Sequence, residues 1–404
     1  MSLNSTPAAE RLHIGIFGRR NAGKSCVINA ITGQKLAIVS DVLGTTTDPV
    51  YKAMELLPLG PVMFIDTPGL DDTGALGQQR IEKAYQALNK TDIALMIVDA
   101  SQGMASEDMA ILDTIKAKKI NYLVVFNKID LVPNFKIPAE YKDNGIAISA
   151  ETGINIFNLK EKIGHLVPND TITLKLVGDL LAPNDLVILV VPIDSAAPKG
   201  RLILPQQETI RDILEAKAKA LIVQTSELAE TLATIGEKPR MVITDSQAFD
   251  MVAKTTPLNL PLTSFSILFA RYKGDLEGAV RGAVQLENIQ DGDQILISEG
   301  CTHHRQCNDI GTVKLPDWVR KYTGKKPVFS YTSGTEFPGD LSPYKLIIHC
   351  GGCMLNAKEM IYRYKYAQNQ HIPMTNYGIA IAYMHGILKR SLAPFPSLAK
   401  ILPE

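Results

Sequence analysis

The eight residues "GRRNAGKS" at 18–25 decide how the first part of this chain folds. They fit the pattern GxxxxGK[ST] and stand between an apolar run, "LHIGIFG", and a helix-like stretch, which is the setting that a phosphate-binding loop requires. Gly18 and Gly23 let the backbone wrap around a phosphate, which the loop N–H groups and the helix N-terminus then bind. Lys24 is predicted to bridge the β- and γ-phosphates, and Ser25 to ligate Mg²⁺. The stretch therefore predicts a nucleoside triphosphate site.

Two further stretches supply the expected switch and metal residues. "DTPG" at 66–69 follows an apolar strand, so Asp66 is expected to hold Mg²⁺ through water and Gly69 to sense the γ-phosphate with its N–H. "GTTTDPV" at 44–50 is the candidate switch segment, with Thr46 as its predicted Mg²⁺ ligand. The alternatives in that segment are Thr45 and Thr47. The residues predicted to act in hydrolysis are Lys24, Thr46, Asp66 and Gly69.

The predicted base is guanine. In "NKID" at 127–130, the carboxylate of Asp130 can accept from both the N1–H and the 2-amino group of guanine, a donor pair that adenine lacks. "SAETG" at 149–153 follows a strand, and the Ala150 N–H is expected to reach guanine O6. The predicted nucleotide-binding residues are Gly18, Asn21, Ala22, Gly23, Lys24, Ser25, Cys26, Asn127, Lys128, Asp130, Ser149 and Ala150. In this order and spacing the motifs predict a GTPase rather than an ATPase.

The pattern of apolar runs predicts an α/β protein: a P-loop GTPase domain with a mostly parallel sheet, plus two further α/β domains. Strand-like and helix-like segments alternate through residues 1–170, which form the GTPase domain. A second alternating block, 171–264, has no phosphate-loop motif and is predicted to be an association domain. Residues 265–404 contain the clustered cysteines and are predicted to be a metal-binding domain.

Composition narrows the function classes. The 404 residues carry 42 Lys+Arg and 42 Asp+Glu, so a protein that binds mainly by neutralising nucleic-acid phosphates is not expected. The N-terminal segment has no apolar core typical of a signal peptide, and no apolar run reaches membrane-spanning length. Four of the five cysteines fall within 301–353, which does not suggest an oxidised secreted framework. The expectation is a cytoplasmic protein that binds neither nucleic acid nor membrane.

The clustered cysteines predict a metal or redox site. "HCGGC" at 349–353 can present Cys350 and Cys353 to one metal from a single turn, while Cys301 must arrive from the end of another apolar strand. Since parallel strands share one carboxyl edge, the two strand ends are expected to converge. The histidines nearby in sequence are His303, His304 and His349.

Sequence chemistry leaves three interpretations of these cysteines open. They are a structural zinc site, an iron–sulfur cluster with one labile position, and a redox dithiol at Cys350 and Cys353. Cys307 is set aside as a packing residue. Cys26, next to Ser25, is expected to be a small buried residue of its helix.

The wording "GRRNAGKS…SDVLGTTTD…DTPGL" resembles the TrmE/Era branch of GTPases. In potassium-activated members of that branch, the position of Asn21 ligates a monovalent cation beside the phosphates. The resemblance therefore implies K⁺ at Asn21, where its charge replaces an arginine finger. Leu70 stands where Ras-like enzymes carry a water-orienting glutamine, so slow intrinsic hydrolysis, raised by K⁺ over Na⁺, is expected.

"CTH" at 301–303 and "HCGGC" at 349–353 resemble the CxH…HCxxC signature of the FeFe-hydrogenase maturation GTPases, the HydF family. This resemblance implies that Cys301, Cys350 and Cys353 hold a 4Fe-4S cluster whose fourth iron keeps an exchangeable ligand. His303 and His349 are the candidates for that ligand, or for groups that support the ligating cysteines.

The same resemblance implies a role and partners. It predicts a scaffold that carries a diiron precursor of the hydrogenase active site, the H-cluster. Its expected partners are two radical-SAM maturases and the apo-FeFe-hydrogenase, and its middle domain is expected to form a homodimer. Two alternatives remain: an RNA-acting TrmE/Era-like GTPase with a structural zinc site, and a switch that binds GTP without hydrolysing it.

Overall fold

The computed structural model describes residues 6–33, 49–56, 59–69, 75–166, 175–193, 202–300, 309–334 and 336–403. The chain divides into two compact units, Met1–Thr171 and Ile172–Glu404. No helix within the described ranges is long and apolar enough to cross a bilayer. Each unit is an α/β structure built on parallel strands, as the apolar pattern predicts.

The first unit is a six-stranded sheet with helices between its strands. Its strands are β1 (Leu12–Phe17), β2 (Val50–Leu56), β3 (Gly60–Asp66), β4 (Ile93–Asp99), β5 (Asn121–Asn127) and β6 (Gly145–Ala147). Its helices are α1 (Lys24–Thr32), α2 (Ala75–Leu88), α3 (Ser106–Ala117) and α4 (Ile156–His165). The sheet order is β2-β3-β1-β4-β5-β6, and only β2 runs antiparallel to its neighbour. Every residue of β4 is buried, because helices cover both faces of a parallel sheet.

The second unit contains two four-stranded parallel sheets. The strands of the first sheet are β7 (Leu186–Val190), β8 (Lys219–Val223), β9 (Met241–Thr244) and β10 (Leu262–Ser264), in the order β10-β9-β7-β8. Its helices are α5 (Leu204–Glu215), α6 (Leu228–Thr234), α7 (Phe249–Thr255) and α8 (Phe265–Lys273).

The second sheet of this unit positions the cysteines. Its strands are β11 (Gln294–Ser298), β12 (Val328–Thr332), β13 (Tyr344–His349) and β14 (Met374–Asn376), in the order β12-β11-β13-β14. Its helices are α9 (Leu276–Val284), α10 (Leu315–Thr323), α11 (Ala357–Asn369), α12 (Tyr377–Met384), α13 (Leu388–Ser391) and α14 (Pro396–Ala399), and a π-helix at Ile310–Lys314 precedes α10.

The two sheets of the second unit share one hydrophobic core. Ile188 and Val242 of the first sheet belong to the same buried cluster as Leu296 and Ile347 of the second. Helix α8 begins where the side chain of Ser264 accepts the Ile267 N–H, and it packs against elements of both sheets. The division of this unit at residues 264 and 265 stays a prediction.

Candidate functional site

The phosphate loop between β1 and α1 has positive φ angles at three residues, two of them glycines. Gly18, Asn21 and Gly23 have φ angles of 143°, 60° and 90°. A Cβ on Gly18 would lie 2.2 Å from the carbonyl oxygen of Ile97, so no other residue fits there. The loop is therefore held in a wrapped conformation that presents its N–H groups at the start of α1.

The two side chains that follow this loop have partners at the predicted metal and phosphate positions. The Nζ of Lys24 donates to the carbonyl oxygens of Gly18 and Arg19, each at 2.9 Å. The Oγ of Ser25 donates to Oδ2 of Asp66 at 2.9 Å. Burial raises the pKa of Asp66, while the hydrogen bond from Ser25 and the charge of Lys24 act to lower it. Ser25 and Asp66 thus form one oxygen cluster of the kind that Mg²⁺ prefers.

Gly69 lies directly against the phosphate loop. A Cβ at Gly69 would be 3.0 Å from both the backbone nitrogen and the Cβ of Arg20. The loop and the DTPG segment are therefore in contact, as a group that senses the γ-phosphate requires. We call the carboxyl ends of β1 and β3, residues 18–25 and 66–69, the phosphate edge.

Asn127 joins the base-recognition motifs to the phosphate loop. It is 2% exposed, its Nδ2 donates to the Ala22 carbonyl at 3.0 Å, and its Oδ1 accepts the Ala150 N–H at 3.0 Å. The Ala150 N–H that the sequence assigned to guanine O6 thus has Asn127 as its partner here. Asp130 lies exposed in a 3-10 turn, where its carboxylate faces solvent and is open to a base.

Lys128 is held by a buried carboxylate. It has a φ of 66°, and its Nζ donates to Oδ2 of Asp99 at 2.7 Å. Burial acts to raise the pKa of Asp99, but the hydrogen bonds from Lys128 and Ser101 outweigh it and the pKa is lowered. The pair fixes the lysine of the NKID motif in one position beside the predicted base site.

The sequence motifs did not identify Arg19, a residue of the phosphate loop whose side chain connects the loop to Gly103 and Asp108. Its Nε donates to Oδ2 of Asp108 at 2.9 Å, and its Nη2 donates to the Gly103 carbonyl at 2.7 Å. Asp108 is fully buried and also accepts the Ala105 N–H at 3.1 Å at the start of α3. No sequence signal links positions 19 and 108, because only the fold brings them together.

The expectation that Cys26 is a buried helix residue is wrong. Its side chain is only partly buried, and the nearby charges are those of Lys128 and Glu151 in the base-recognition motifs. Burial and the charge of Glu151 raise the pKa of its thiol, which Lys128 acts to lower. Cys26 is therefore a partly buried residue of α1 that lies near charged residues of the base-recognition motifs.

Several predicted residues lie outside the described residues. In the first unit they are Thr45, Thr46, Thr47 and Leu70. In the second unit they are Cys301, His303, His304 and Cys307.

The cysteine edge is formed by residues 298–300 after β11 and 349–353 after β13. The two strands are parallel neighbours, with Ser298 opposite His349. The Cys350 N–H donates to the Ser298 carbonyl at 2.8 Å, and its Sγ accepts the Gly300 N–H at 3.0 Å. Cys301 is the next residue in sequence after Gly300. The described residues thus bring Gly300, which precedes Cys301 in sequence, into contact with Cys350.

The turn of HCGGC depends on its second glycine. Gly352 has a φ of 63°, and a Cβ there would lie 2.5 Å from the Sδ of Met360. Its N–H lies 3.4 Å from Sγ of Cys350, a second backbone donor to that sulfur. Backbone donors to sulfur stabilise a thiolate, whether it is free or bound to a metal.

Burial favours the neutral form of both thiols of this turn. Burial raises the pKa of Cys350 to about 11, although the Gly300 and Gly352 N–H groups act to lower it. Burial also raises the pKa of Cys353. A coordinating metal deprotonates a thiol outright, so these groups suit a soft metal better than a free thiolate reaction.

His349 is enclosed by the protein. It is fully buried, its Nδ1 donates to the Cys350 carbonyl at 2.7 Å, and its Nε2 accepts from Nη1 of Arg363 at 3.0 Å. Burial and the adjacent Arg363 charge lower the pKa of His349 to about 3. Both ring nitrogens are thus occupied, in a neutral imidazole.

Arg363 is a fully buried arginine that sequence reasoning did not identify. Its Nε donates to Oε1 of Glu359 at 3.0 Å and its Nη2 to the Gly334 carbonyl at 3.0 Å. Glu359 lies one turn earlier on α11, the helix that begins just after HCGGC. Helix α11 thus contributes the buried Arg363, which is paired with Glu359 and donates a hydrogen bond to His349.

Among the residues that the structure describes, no three His, Cys, Asp or Glu side chains are grouped as a metal site. Cys350 and Cys353 supply two sulfurs there, and the third predicted sulfur is that of Cys301. The donors present are therefore a partial set, with soft ligands and backbone N–H groups of the kind that an iron–sulfur cluster takes.

Family models match most of the chain. Residues 13–128 match the model described as 50S ribosome-binding GTPase. Residues 176–274 match the hydrogen maturase F dimerization domain, and residues 276–394 match the hydrogen maturase F tetramerization domain. The last two models together cover more than half of the 404 residues.

Curated relatives match over a shorter range. A tRNA modification GTPase MnmE from Desulforamulus reducens is 36% identical over 170 residues, which is 41% of this chain and 36% of the relative. A GTPase Era from Halothermothrix orenii is 34% identical over 164 residues, which is 38% of this chain and 55% of the relative. The chain thus spans about a third to a half of the length of these relatives.

One solved structure to which this chain is similar is Era in complex with MgGDPNP and nucleotides 1506–1542 of 16S ribosomal RNA. The match has a TM-score of 0.35 and 21% sequence identity, and it covers 52% of this chain and 91% of that one.

Proposed function

We propose that this chain, which belongs to the hydrogen maturase F family, is a GTP-hydrolysing scaffold that holds a 4Fe-4S cluster and delivers a diiron precursor to FeFe-hydrogenase. One observation carries the proposal: the Gly300 N–H donates to Sγ of Cys350 at 3.0 Å, immediately before Cys301 in sequence. This contact supports a shared site for the two cysteine segments, in a chain that also contains a complete phosphate loop.

GTP hydrolysis is assigned to the phosphate edge. Lys24 neutralises the β- and γ-phosphates, Gly69 donates its N–H to the γ-phosphate, and Asp130 accepts from guanine. Ser25 and Asp66 hold Mg²⁺, directly and through water, together with Thr46 of the switch segment. That ion supplies positive charge to the phosphates. The hydrogen bond between Ser25 and Asp66 supports this assignment, because it already groups their oxygens.

The monovalent cation is assigned to Asn21. Its φ of 60° is a conformation that asparagine tolerates better than most residues, and it is an exposed residue of the loop. With Leu70 in place of a water-orienting residue, K⁺ at Asn21 supplies the charge that accelerates hydrolysis.

The cluster is assigned to Cys301, Cys350 and Cys353. Three thiolates leave one iron with an exchangeable position, which allows the site to attach cargo and release it. The partly buried thiols, the two backbone donors to Sγ of Cys350 and the glycine turn all support this assignment.

The two histidines receive different roles. Both ring nitrogens of His349 have partners inside the protein, so we assign it to orienting the Cys350 carbonyl and the cysteine turn. His303 remains the histidine assigned to the exchangeable position.

The matched domain descriptions support self-association through residues 176–274, as a homodimer, with a further interface through 276–394. The proposed partners are the radical-SAM maturases, which build the precursor, and the apo-hydrogenase, which receives it. The RNA-acting alternative is weaker. The MnmE relative matches only 170 residues of this chain, whereas residues 276–394, which include Cys301, Cys350 and Cys353, match the hydrogen maturase F tetramerization domain.

The delivery step is tested by transfer to a purified apo-hydrogenase. The chain is produced together with the maturases, isolated without oxygen, and mixed with apo-FeFe-hydrogenase, and hydrogen evolution is measured. We expect activation by this preparation and none by the chain produced alone or by its Cys301→Ser variant. Activation by the Cys301→Ser variant, at the native level, would overturn the proposal.

A further inference from the structure

Lys273, the last residue of α8, is a lysine inside the protein. It is 2% exposed. Removing an ammonium group from water is costly, so a buried lysine needs compensating contacts and usually serves a purpose beyond stability.

The contacts of Lys273 place its charge at the cysteine turn. Its Nζ lies 3.5 Å from the carbonyl oxygen of Cys353, which is 80 positions later in sequence. The same Nζ lies 5.4 Å from the ring centre of Phe269 and 5.9 Å from that of Tyr272. These rings favour a cation over their faces and also keep water away. The ammonium group is thus directed at the turn.

A carboxylate from another helix opposes this charge. Glu208 lies on α5, and both of its carboxylate oxygens are buried. Helix α5 packs against α8, the helix that ends at Lys273. Both residues belong to the range 176–274 that matches the dimerization domain, and Lys273 brings a positive charge of that range to the turn that holds Cys353.

We propose that Lys273 raises the reduction potential of the cluster held at the cysteine edge, and that Glu208 opposes it. The proposal rests on the proposed function, since it requires the cluster. Adding one electron makes a thiolate-bound cluster more negative, so a nearby fixed positive charge in a low-dielectric site stabilises the reduced form. A nearby negative charge has the opposite effect.

Three variants of the full chain test this proposal after anaerobic reconstitution. Lys273→Met and Glu208→Gln remove the two charges while keeping similar side-chain size. Lys345→Met is the matched control: it removes an exposed lysine from β13, about 13 Å along the strand from His349. Each protein is titrated with dithionite as the one-electron donor, and the midpoint potential is read from the EPR signal of the reduced cluster.

The expected shifts have opposite signs. Lys273→Met lowers the midpoint potential, Glu208→Gln raises it, and Lys345→Met leaves it at the native value. Loosened packing would not shift two neighbouring variants in opposite directions. Native potentials in both variants, or shifts of the same sign, would overturn the proposal.

The proposal can still be tested if one of the variants does not fold. Thermal melting monitors the fold of each variant, and if Lys273→Met does not fold, the sign of the Glu208→Gln shift decides by itself. If the native chain binds no cluster, the proposed function fails along with this inference. If the native chain binds a cluster but neither Lys273→Met nor Glu208→Gln changes its midpoint potential, only this inference is overturned.

Discussion

The phosphate edge and the cysteine edge stand at equivalent places, the carboxyl ends of parallel strands, but they are built in opposite ways. The phosphate edge presents partly exposed charged and hydroxyl groups on a strained loop, with Lys24 bonded to backbone carbonyls. The cysteine edge has partly buried thiols next to the fully buried His349 and Arg363. The first suits a charged ligand that exchanges with solvent, and the second, with its sulfur groups, suits a soft metal centre.

This contrast predicts that the two edges can be disabled separately. They lie in different compact units, and no residue is assigned to both. A substitution at either edge therefore has the other edge as its internal control.

The largest expected effect is at the cysteine edge. Cys350→Ser removes the sulfur that accepts both backbone N–H groups, so iron after reconstitution should fall from about four per chain to nearly none. Iron and sulfide analysis measures this, and GTP turnover should stay native. Retention of native iron by this variant would remove Cys350 from the ligand set.

The next effect is at the phosphate edge. Lys24→Ala removes the ammonium group that neutralises the transferred phosphate, and kcat/KM for GTP should fall by about 10²–10³-fold. Steady-state phosphate release measures this, with cluster iron as the control. A variant that loses cluster iron in step with turnover would break the separation between the edges.

A smaller effect is expected on base choice. Asp130→Asn removes the acceptor for the two guanine donors, which should weaken GTP binding by roughly 10- to 100-fold, the cost of a hydrogen bond to a charged group. Because the new amide can donate to a 2-oxo group, binding of xanthosine triphosphate should improve. Fluorescent-nucleotide competition measures both affinities, and equal loss for both nucleotides would contradict the assignment of Asp130.

The smallest effect concerns the monovalent cation. Replacing Na⁺ by K⁺ should raise GTP turnover about tenfold, equivalent to about 1.4 kcal/mol in the barrier. Asn21→Ala should abolish the difference between the two salts while binding of GTP persists. Equal turnover in K⁺, Na⁺ and a salt without either cation would end the assignment of Asn21.

Local patterns predicted much of the fold. The helix expected to follow the phosphate loop is Lys24–Thr32, and fully buried strands such as Ile93–Asp99 stand out as apolar runs. β2 escaped prediction because it is an edge strand with mostly exposed side chains, which leaves little apolar pattern. The stretch "LTSFSILF" divides into a short strand and the start of α8, because an apolar run does not distinguish a buried strand from a buried helix.

The sequence predicted those site residues that are close together in the chain. The phosphate loop and HCGGC are recognisable as motifs because their residues are neighbours in sequence and form one turn. Arg19 with Asp108, and Lys273 with Cys353, are paired across 89 and 80 positions. Such supporting groups carry no motif, since only the folded sheet edges determine which side chains meet.

The central claim is that a three-cysteine 4Fe-4S site and a GTPase share this chain. Its most direct test is metal and sulfide analysis with EPR on the native chain after anaerobic reconstitution and reduction. The account predicts about four iron and four sulfide per chain, no stoichiometric zinc, and the signal of a reduced 4Fe-4S cluster. One zinc per chain with no sulfide and no cluster signal would contradict it.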